Sequence, residues 1–245
     1  MAASESAEVG PKTIEIRQLF HLDEFQDVLR LQQEIWSFAD IELLPLRFLV
    51  VVSRIGGHVF GAYDGAEMIA FCFAIPGFKP GNAPYLHSHM LGVLPGYRDT
   101  GIGRRLKLRQ KEEALGRGIR LIEWTFDPLE LKNAYLNIVK LGAIVRRYSE
   151  NQYGVTASPL HGGLPTDRCY AEWWLDDTRE KGKNIVERIS YPADIGRIRA
   201  EDNARARAIQ QANAEKFQAA FAGGLAVTGF ERSAGEGTYL LEPWK

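Results

Sequence analysis

The sequence predicts an α/β fold in which a mixed central sheet is flanked by helices and followed by a C-terminal α+β extension. Three observations predict it. His58 to Tyr63 and Glu67 to Pro76 are apolar runs on either side of an Asp-Gly turn, a strong hairpin signal. Tyr85 to Leu94 is apolar on both faces, as a central strand should be, and leads through a glycine turn into a helix. Helical and strand patterns then alternate to about residue 150, which describes layers of helices over one sheet.

The elements follow in order. Thr13 to Leu19 alternates apolar and polar residues and reads as a strand. Phe25, Val28, Leu29, Ile35 and Trp36 recur at helical spacing, so Leu22 to Phe38 is an amphipathic helix. Leu44 to Ser53 is a second, more apolar one, and FKPGNAP is a loop. After Tyr85 to Leu94 come a helix over 101–117, a strand from Arg120 to Phe126, a helix over 129–141 and a strand from Ile144 to Tyr148. The stripe Leu131, Ala134, Tyr135, Ile138 and Val139 supports the helix over 129–141. Asp127-Pro128-Leu129-Glu130 supplies an acidic N-cap, a proline at the first position and a glutamate three after the cap. Gly154 to Pro165 is a loop, and Cys169 to Leu175 a strand. Beyond residue 180 a long Ala/Arg/Gln-rich helix runs from about Asp194 to the glycine stop at Gly223-Gly224. A hairpin of Leu225 to Arg232 with Thr238 to Leu241 follows. The expected organisation is a tail over 1–12, a main domain over 13–178 and an extension over 179–245.

Composition limits the function. With 45% apolar and 25% charged residues the chain is globular, and a net charge of −1 argues against a nucleic-acid or membrane-surface binder. Cys72 and Cys169 are the two cysteines and lack metal or disulfide spacing. No apolar run approaches a membrane span, and the first residues lack the apolar core of a signal peptide. A cytoplasmic chain is the expectation.

The chemistry concentrates in LGVLPGYRDTGIGRRL, residues 91 to 106. A helix N-terminus leaves backbone N–H groups without partners and carries the positive end of the helix dipole. Gly101 and Gly103 remove Cβ atoms there, so a phosphate can approach the amides, while Arg98, Arg104 and Arg105 add charge at the rim. From Arg98 to Gly118 there are seven basic and three acidic residues, a local excess that favours a polyphosphate ligand. The spacing is neither GxxxxGK[ST] nor GxGxxG, which argues against P-loop and Rossmann sites.

Arg-x-x-Gly-x-Gly after a Val-x-Pro strand end resembles the acyl-CoA-binding motif of the GNAT superfamily of N-acyltransferases. LHSHMLGV, WTFDPLE, NAYLN, KLGA and PTDR look like a branch of it with its own C-terminal extension, and the resemblance covers roughly residues 13 to 150. It implies that the turn Arg98, Asp99, Thr100, Gly101, Ile102, Gly103, Arg104 and Arg105 cradles the coenzyme A pyrophosphate. It implies too that Leu91, Gly92 and Val93 polarise the thioester carbonyl from a splayed strand, where Gly92 is compatible with a bulge. Asn133 and Asn137, one turn apart on the polar face, would bind pantetheine or simply be exposed. Acetyl-CoA or another acyl-CoA is then the co-substrate.

Amide formation needs a base for the amine. His87 and His89 lie two apart, hence on the face of Leu91 and Val93, just upstream of the carbonyl stretch. His87 falls about where relatives carry a carboxylate base; the bland alternative makes both residues core histidines. Glu123, flanked by apolar residues on the next strand, is the other candidate base, acting through water. A metal reading of His-x-His with Glu123 lacks a third ligand near in sequence. Asp127 is assigned to capping. GNAT enzymes often carry a thiolate-protonating tyrosine where this chain has Ile138, and Tyr135 one turn earlier reads as core. Tyr148, Asn151 and Tyr153 are placed on the acceptor side. The arginines from Arg197 to Arg207 read as a solvated face, or as recognition of an acidic acceptor or acyl group such as succinyl.

The leading expectation is an N-acyltransferase moving an acetyl or related acyl group, succinyl included, to the amine of a small molecule such as an amino acid. No nucleic acid or membrane partner is expected, and exposed sheet edges suit a homodimer. The alternative is a GNAT-fold protein that binds acyl-CoA or another small ligand without catalysis.

Overall fold

A computed structural model of the chain describes residues 13–38, 40–154 and 162–244. Its strands are β1 (Glu15–Gln18), β2 (His58–Asp64), β3 (Glu67–Lys79), β4 (Ala83–Val93), β5 (Leu121–Phe126), β6 (Ile144–Ser149), β7 (Arg168–Trp174), β8 (Glu187–Pro192), β9 (Leu225–Arg232) and β10 (Glu236–Pro243). The helices are α1 (Leu22–Trp36), α2 (Leu46–Arg54), α3 (Ile102–Gly116), α4 (Leu131–Ala134, running on as a π-helical turn over Tyr135–Lys140), α5 (Ile195–Glu201) and α6 (Asn203–Ala222). All ten strands form one sheet in the order β1-β2-β3-β4-β5-β7-β6-β9-β10-β8. Among the described residues only β4 and β5 pair in parallel. This is the mixed, helix-flanked α/β sheet expected.

Burial of the apolar stripes places the helices. Phe25, Val28 and Leu31 of α1 and Leu49 and Val52 of α2 pack with Phe71 and Phe73 of β3 on one face. Ile102 and Leu106 of α3 pack with Phe60, Ile69 and Cys72 on the other. Ala206 and Phe217 of α6 join Ile122 of β5 and Val227 of β9 in one cluster, so the C-terminal residues extend the same sheet and core. Gly92 sits where α1 comes closest: a Cβ there would stand 2.8 Å from Ile35 and 2.9 Å from Trp36.

Four local expectations change. The helix expected over 129–141 starts at Leu131, because Asp127 Oδ1 accepts the Leu129 N–H (2.8 Å) and caps the turn before it. The long helix from Asp194 breaks at Asp202, which caps α6 by accepting the Arg205 N–H. β8 was not foreseen. The bulge in β4 lies at His89 and not at Gly92: Phe73 faces Met90 and Ala74 faces Ser88, leaving His89 as the extra residue. The loop expected over Gly154 to Pro165 falls mainly outside the described residues. Among those described, no helix is long and apolar enough to cross a membrane.

His58, at the start of β2, is 0% exposed, and neither ring nitrogen has a hydrogen-bond partner among the described residues. Burial, reinforced by Arg117, Lys107 and Arg109, pushes its pKa down to about 3. An unfolded histidine titrates near ~6.5, so between these values the unfolded chain binds more protons. Stability therefore rises with pH across that window and is lost on acidification. His58→Leu should stabilise by about 1–3 kcal/mol at pH 7 by removing unpartnered polar atoms. The gain should grow at pH 5; urea midpoints at the two pH values check both, and no gain at either would mean that the imidazole is satisfied.

Candidate active site

β3 pairs with β4 from Ala70 to Lys79 with His89 bulged out, and β5 pairs with β7 from Leu121 to Phe126. Between β4 and β5, however, pairing is confined to Leu86–Ile122 and His87–Glu123. Each strand is held on its outer side while the inner edges part. Residues 88–93 and 124–126 thus flank a wedge-shaped opening whose vertex is the His87–Glu123 pair.

The glycine turn closes the wide end. Gly101 takes φ +88°, a backbone that side chains resist, and caps α3 with no side-chain hydrogen bond. The first helical bond runs from the Arg105 N–H to the Gly101 carbonyl, so the amides of residues 102–104 point outward. A Cβ on Gly103 would meet Leu91 at 3.4 Å, an ordinary contact; its bareness serves something other than the protein's own packing. Arg98 and Arg104 are exposed beside this end. Arg98 Nε donates to the Val93 carbonyl, and Thr100 Oγ1 to the Tyr97 carbonyl. Asp99 pairs with Lys132 of α4 at 3.0 Å. Arg105 turns away from the expected rim, with Nη2 on the Ile14 carbonyl.

The bulge at His89 changes which residues share a face. Leu91 and Val93 pack with the α3 cluster, while Met90 packs with the α1–α2 cluster. The expectation that His87 and His89 share a face with Leu91 and Val93 is therefore wrong, since one extra residue inverts the alternation. The His89 ring lies 5.4 Å from Phe73, on the α1–α2 side, and 6.1 Å from His87. Burial, aided by His89, pushes the His87 pKa down to about 4, partly opposed by Glu123. Burial lowers that of His89 too. Both are neutral at pH 7.

Glu123 is 2% exposed, and its Oε2 accepts from Lys79 Nζ (2.5 Å) and from the Arg147 guanidinium. A second bulge, in β6, brings Arg146 and Arg147 to the same carboxylates: Arg146 Nη2 donates to Glu172 at 2.5 Å. Lys79, Leu121, Arg146, Arg147, Glu172 and Trp174 line a cleft of about 370 Å³ beside this network. Lys79 and Arg147 were not foreseen, because only strand register brings β3, β5 and β6 together at one carboxylate. Among the described residues no metal-binding group of three or more His, Cys, Asp or Glu occurs.

The remaining candidates separate. Asn133 is exposed and Asn137 is 4% exposed, so they do not share a polar face; the π-helical turn rotates Asn137 inward and leaves Val139 44% exposed. Ile138 is buried in the core. Tyr148 is removed from the acceptor side: its OH donates to Asp167 Oδ2 (2.7 Å) and its ring stacks on Phe217 of α6. The Asn151 N–H binds the same aspartate. Tyr153 meets Thr125 at the open end of β5. Arg199 reaches Glu130 and Asp127, a tie between α5 and the turn before α4, whereas Arg197 is exposed.

The model of the Acetyltransferase (GNAT) family matches residues 16–135. Solved structures share the fold at low identity. The ribosomal-protein-S18-alanine N-acetyltransferase of Escherichia coli superposes with a TM-score of 0.52 at 16% identity, covering 71% of this chain and all of its own. The Salmonella typhimurium protein yncA, solved with its cofactor acetyl-CoA, gives 0.55 at 16%, covering 68% and 96%. An acetyltransferase of the GNAT family from Streptococcus pneumoniae gives 0.53 at 13%, covering 65% and 98%. A comparison with curated proteins found no match.

If Glu123 is chiefly the anchor of two cations, Glu123→Gln should cost about 1–3 kcal/mol, below a fully buried pair because Lys79 and Arg147 remain partly in water. Urea denaturation measures this. Unchanged stability would mean that the carboxylate is not there to hold β3, β5 and β6 together.

Proposed function

From the membership of residues 16–135 in the GNAT acetyltransferase superfamily, we propose that the chain is an acyl-CoA-dependent N-acyltransferase acting on a small amine. The observation that carries the reading is the parting of β4 and β5 beside a helix whose first amides are uncapped. The fit to a coenzyme A thioester is direct. Amides 102–104 and the helix dipole suit the pyrophosphate, with Arg98 and Arg104 as exposed charge beside it. Amides along the inner edge of Leu91, Gly92 and Val93 suit the pantetheine arm, and the thioester oxygen lies deeper along the same edge, toward the vertex. Asn133 remains as an exposed donor on α4; Asn137 does not.

The acceptor enters from the α1–α2 side, where His87, His89 and the cleft along Lys79 and Arg147 lie. An alkyl ammonium has a pKa near ~10 and no lone pair, so the amine attacks in its neutral form and a base must take the proton that the nitrogen sheds as the bond forms. His87 is assigned that role: it stands at the vertex, is neutral, and its depressed pKa makes proton uptake depend on acidification of the nitrogen as the bond forms. The cations at the cleft suit an acceptor that also bears a carboxylate, such as an amino acid.

Ile138, buried where relatives often carry a proton-donating tyrosine, favours a second reading: a protein that binds acyl-CoA without turnover. Thermal shifts with CoA, acetyl-CoA and succinyl-CoA, followed by thiol release with a panel of amines, separate the two. Ligand at ~100 times its dissociation constant adds about 2.7 kcal/mol and raises Tm by a few degrees. Gly103→Asp should remove the shift without lowering the unliganded Tm. His87→Ala should lower kcat by roughly 10²–10⁴ with CoA affinity retained. In the unmodified chain the base must be neutral, so activity corrected for the neutral fraction of the amine should persist below pH 6 and fall as pH drops through about 4. A shift with no thiol release from any amine favours the binding protein; no shift with any of the three overturns both.

A further inference from the structure

Lys107 has no part in the chemistry above, yet it occupies the vertex of the wedge. Its Nζ donates to Ser88 Oγ at 2.7 Å and lies 3.7 Å from the ring centroid of Trp124. Ser88 and Trp124 are the residues that follow His87 and Glu123, the last pair joining β4 to β5. The amine therefore sits where the strands part, on the α3 side, across the sheet from the histidines. It is 4% exposed. Its hydrogen bond to Ser88, whose hydroxyl donates on to Gln110 Oε1 (3.0 Å), is its one hydrogen bond among the described residues, and no carboxylate pairs with it. The titratable groups that face it are His58 of β2 and Cys72 of β3, and His87 of β4 feels its charge through the sheet. The thiol of Cys72 is pushed up to about 12, so it offers no counter-charge at neutral pH.

Resting on the acyl transfer argued above, we propose that Lys107 is the proton donor to the leaving sulfur. The edge of β4 from Val93 down to Ser88 covers five steps of the strand, at most roughly 17 Å with the bulge at His89. An arm anchored by its phosphates at α3 and laid along that edge ends at the vertex. The attacking nitrogen forms its bond to the thioester carbon, the carbon–sulfur bond breaks, and its electron pair goes to sulfur. Lys107 passes one ammonium proton to that sulfur and becomes a neutral amine. His87 takes the proton shed by nitrogen, and solvent carries it back to Lys107, so an amide and a free thiol leave and the protein is unchanged. Burial draws the Lys107 pKa down to about 7, close to that of a thiol at ~8.5, the match that proton transfer favours. Ile138, which follows α4 in the π-helical turn, is buried in the same core cluster as Trp124 and has no proton to give.

The test uses the full chain, acetyl-CoA and hydroxylamine, a weakly basic acceptor uncharged above neutral pH, with the uncatalysed reaction subtracted. Thiol release is followed from pH 5.5 to 9.5, and acetyl-CoA affinity by calorimetry. The unmodified chain should lose kcat as pH rises through about 7. Lys107→Met should lose at least tenfold at pH 6 and show no such limb, with acetyl-CoA affinity within threefold. Lys107→Gln keeps a donor to Ser88 but carries no transferable proton; the same loss is expected of it, which separates the proton from the packing. If both variants keep the rate and pH profile of the unmodified chain, the assignment of Lys107 falls and the transferase reading stands. If the unmodified chain binds acetyl-CoA but releases no thiol with hydroxylamine or with any amine of the panel, both fall.

Discussion

Everything at this site depends on backbone hydrogen bonds that are not made. β3 and β7 hold β4 and β5 along their outer edges, so the inner edges can part beyond His87–Glu123 without either strand leaving the sheet. A buried N–H or C=O left without a partner costs about 1–3 kcal/mol. A sheet interior that leaves several of them facing an opening is therefore tolerable only if water or a ligand completes them. The bulge at His89 belongs to the same constraint, because it lets β4 bend away from β5 while staying paired with β3 on both sides of the register shift. It also decides which side chains meet: Ser88 turns to α3, and His87 and His89 turn to α1 and α2.

The vertex consequently has two unlike electrostatic faces. On the α1–α2 side, Glu123 is held between Lys79 and Arg147, with neutral His87 paired opposite it and neutral His89 further along β4. On the α3 side, a single lysine meets a hydroxyl and an indole and has no anion near it. An opening with a proton acceptor on one side and a proton donor on the other suits a reaction in which one atom sheds a proton as another gains one. Neither face supplies this alone.

The sheet, the α1–α3 layers and the anion turn were legible because their signals are local. Apolar spacing marks the helices, and Asp64-Gly65 marks the hairpin. Gly101 and Gly103 mark the exposed helix end. The faces of the site were not legible, because alternation along β4 counts residues and cannot see the extra one at His89. The helix at Asn137 misled for a kindred reason: a π-helical turn has the composition of an α-helix but a different phase. Lys107 did leave a trace. Ile102, Leu106, Gln110 and Ala114 form the inward stripe of α3, and Gln110 on it signals that a polar partner is buried nearby. Glu123 was found by its apolar neighbours, but its cations come from β3 and β6, which only tertiary register joins to β5.

The C-terminal residues are bound into this arrangement and not merely attached to it. Arg147 of β6 and Glu172 of β7 complete the network around Glu123, and β6 is itself covered by α6, where Phe217 stacks on Tyr148. Direct pairing of β6 with β9 is confined to Val145–Val227, so side-chain packing carries most of that junction. Tyr239 of β10 donates to the Pro128 carbonyl in the turn that precedes α4, and Arg199 of α5 grips Glu130 in the same turn. The turn follows directly on the open end of β5 at Phe126. Packing of the extension therefore bears on the position of the strand that forms one wall of the wedge, and a change in α5 or β10 reaches the site through the backbone of residues 126–131 without touching any residue that meets the ligand.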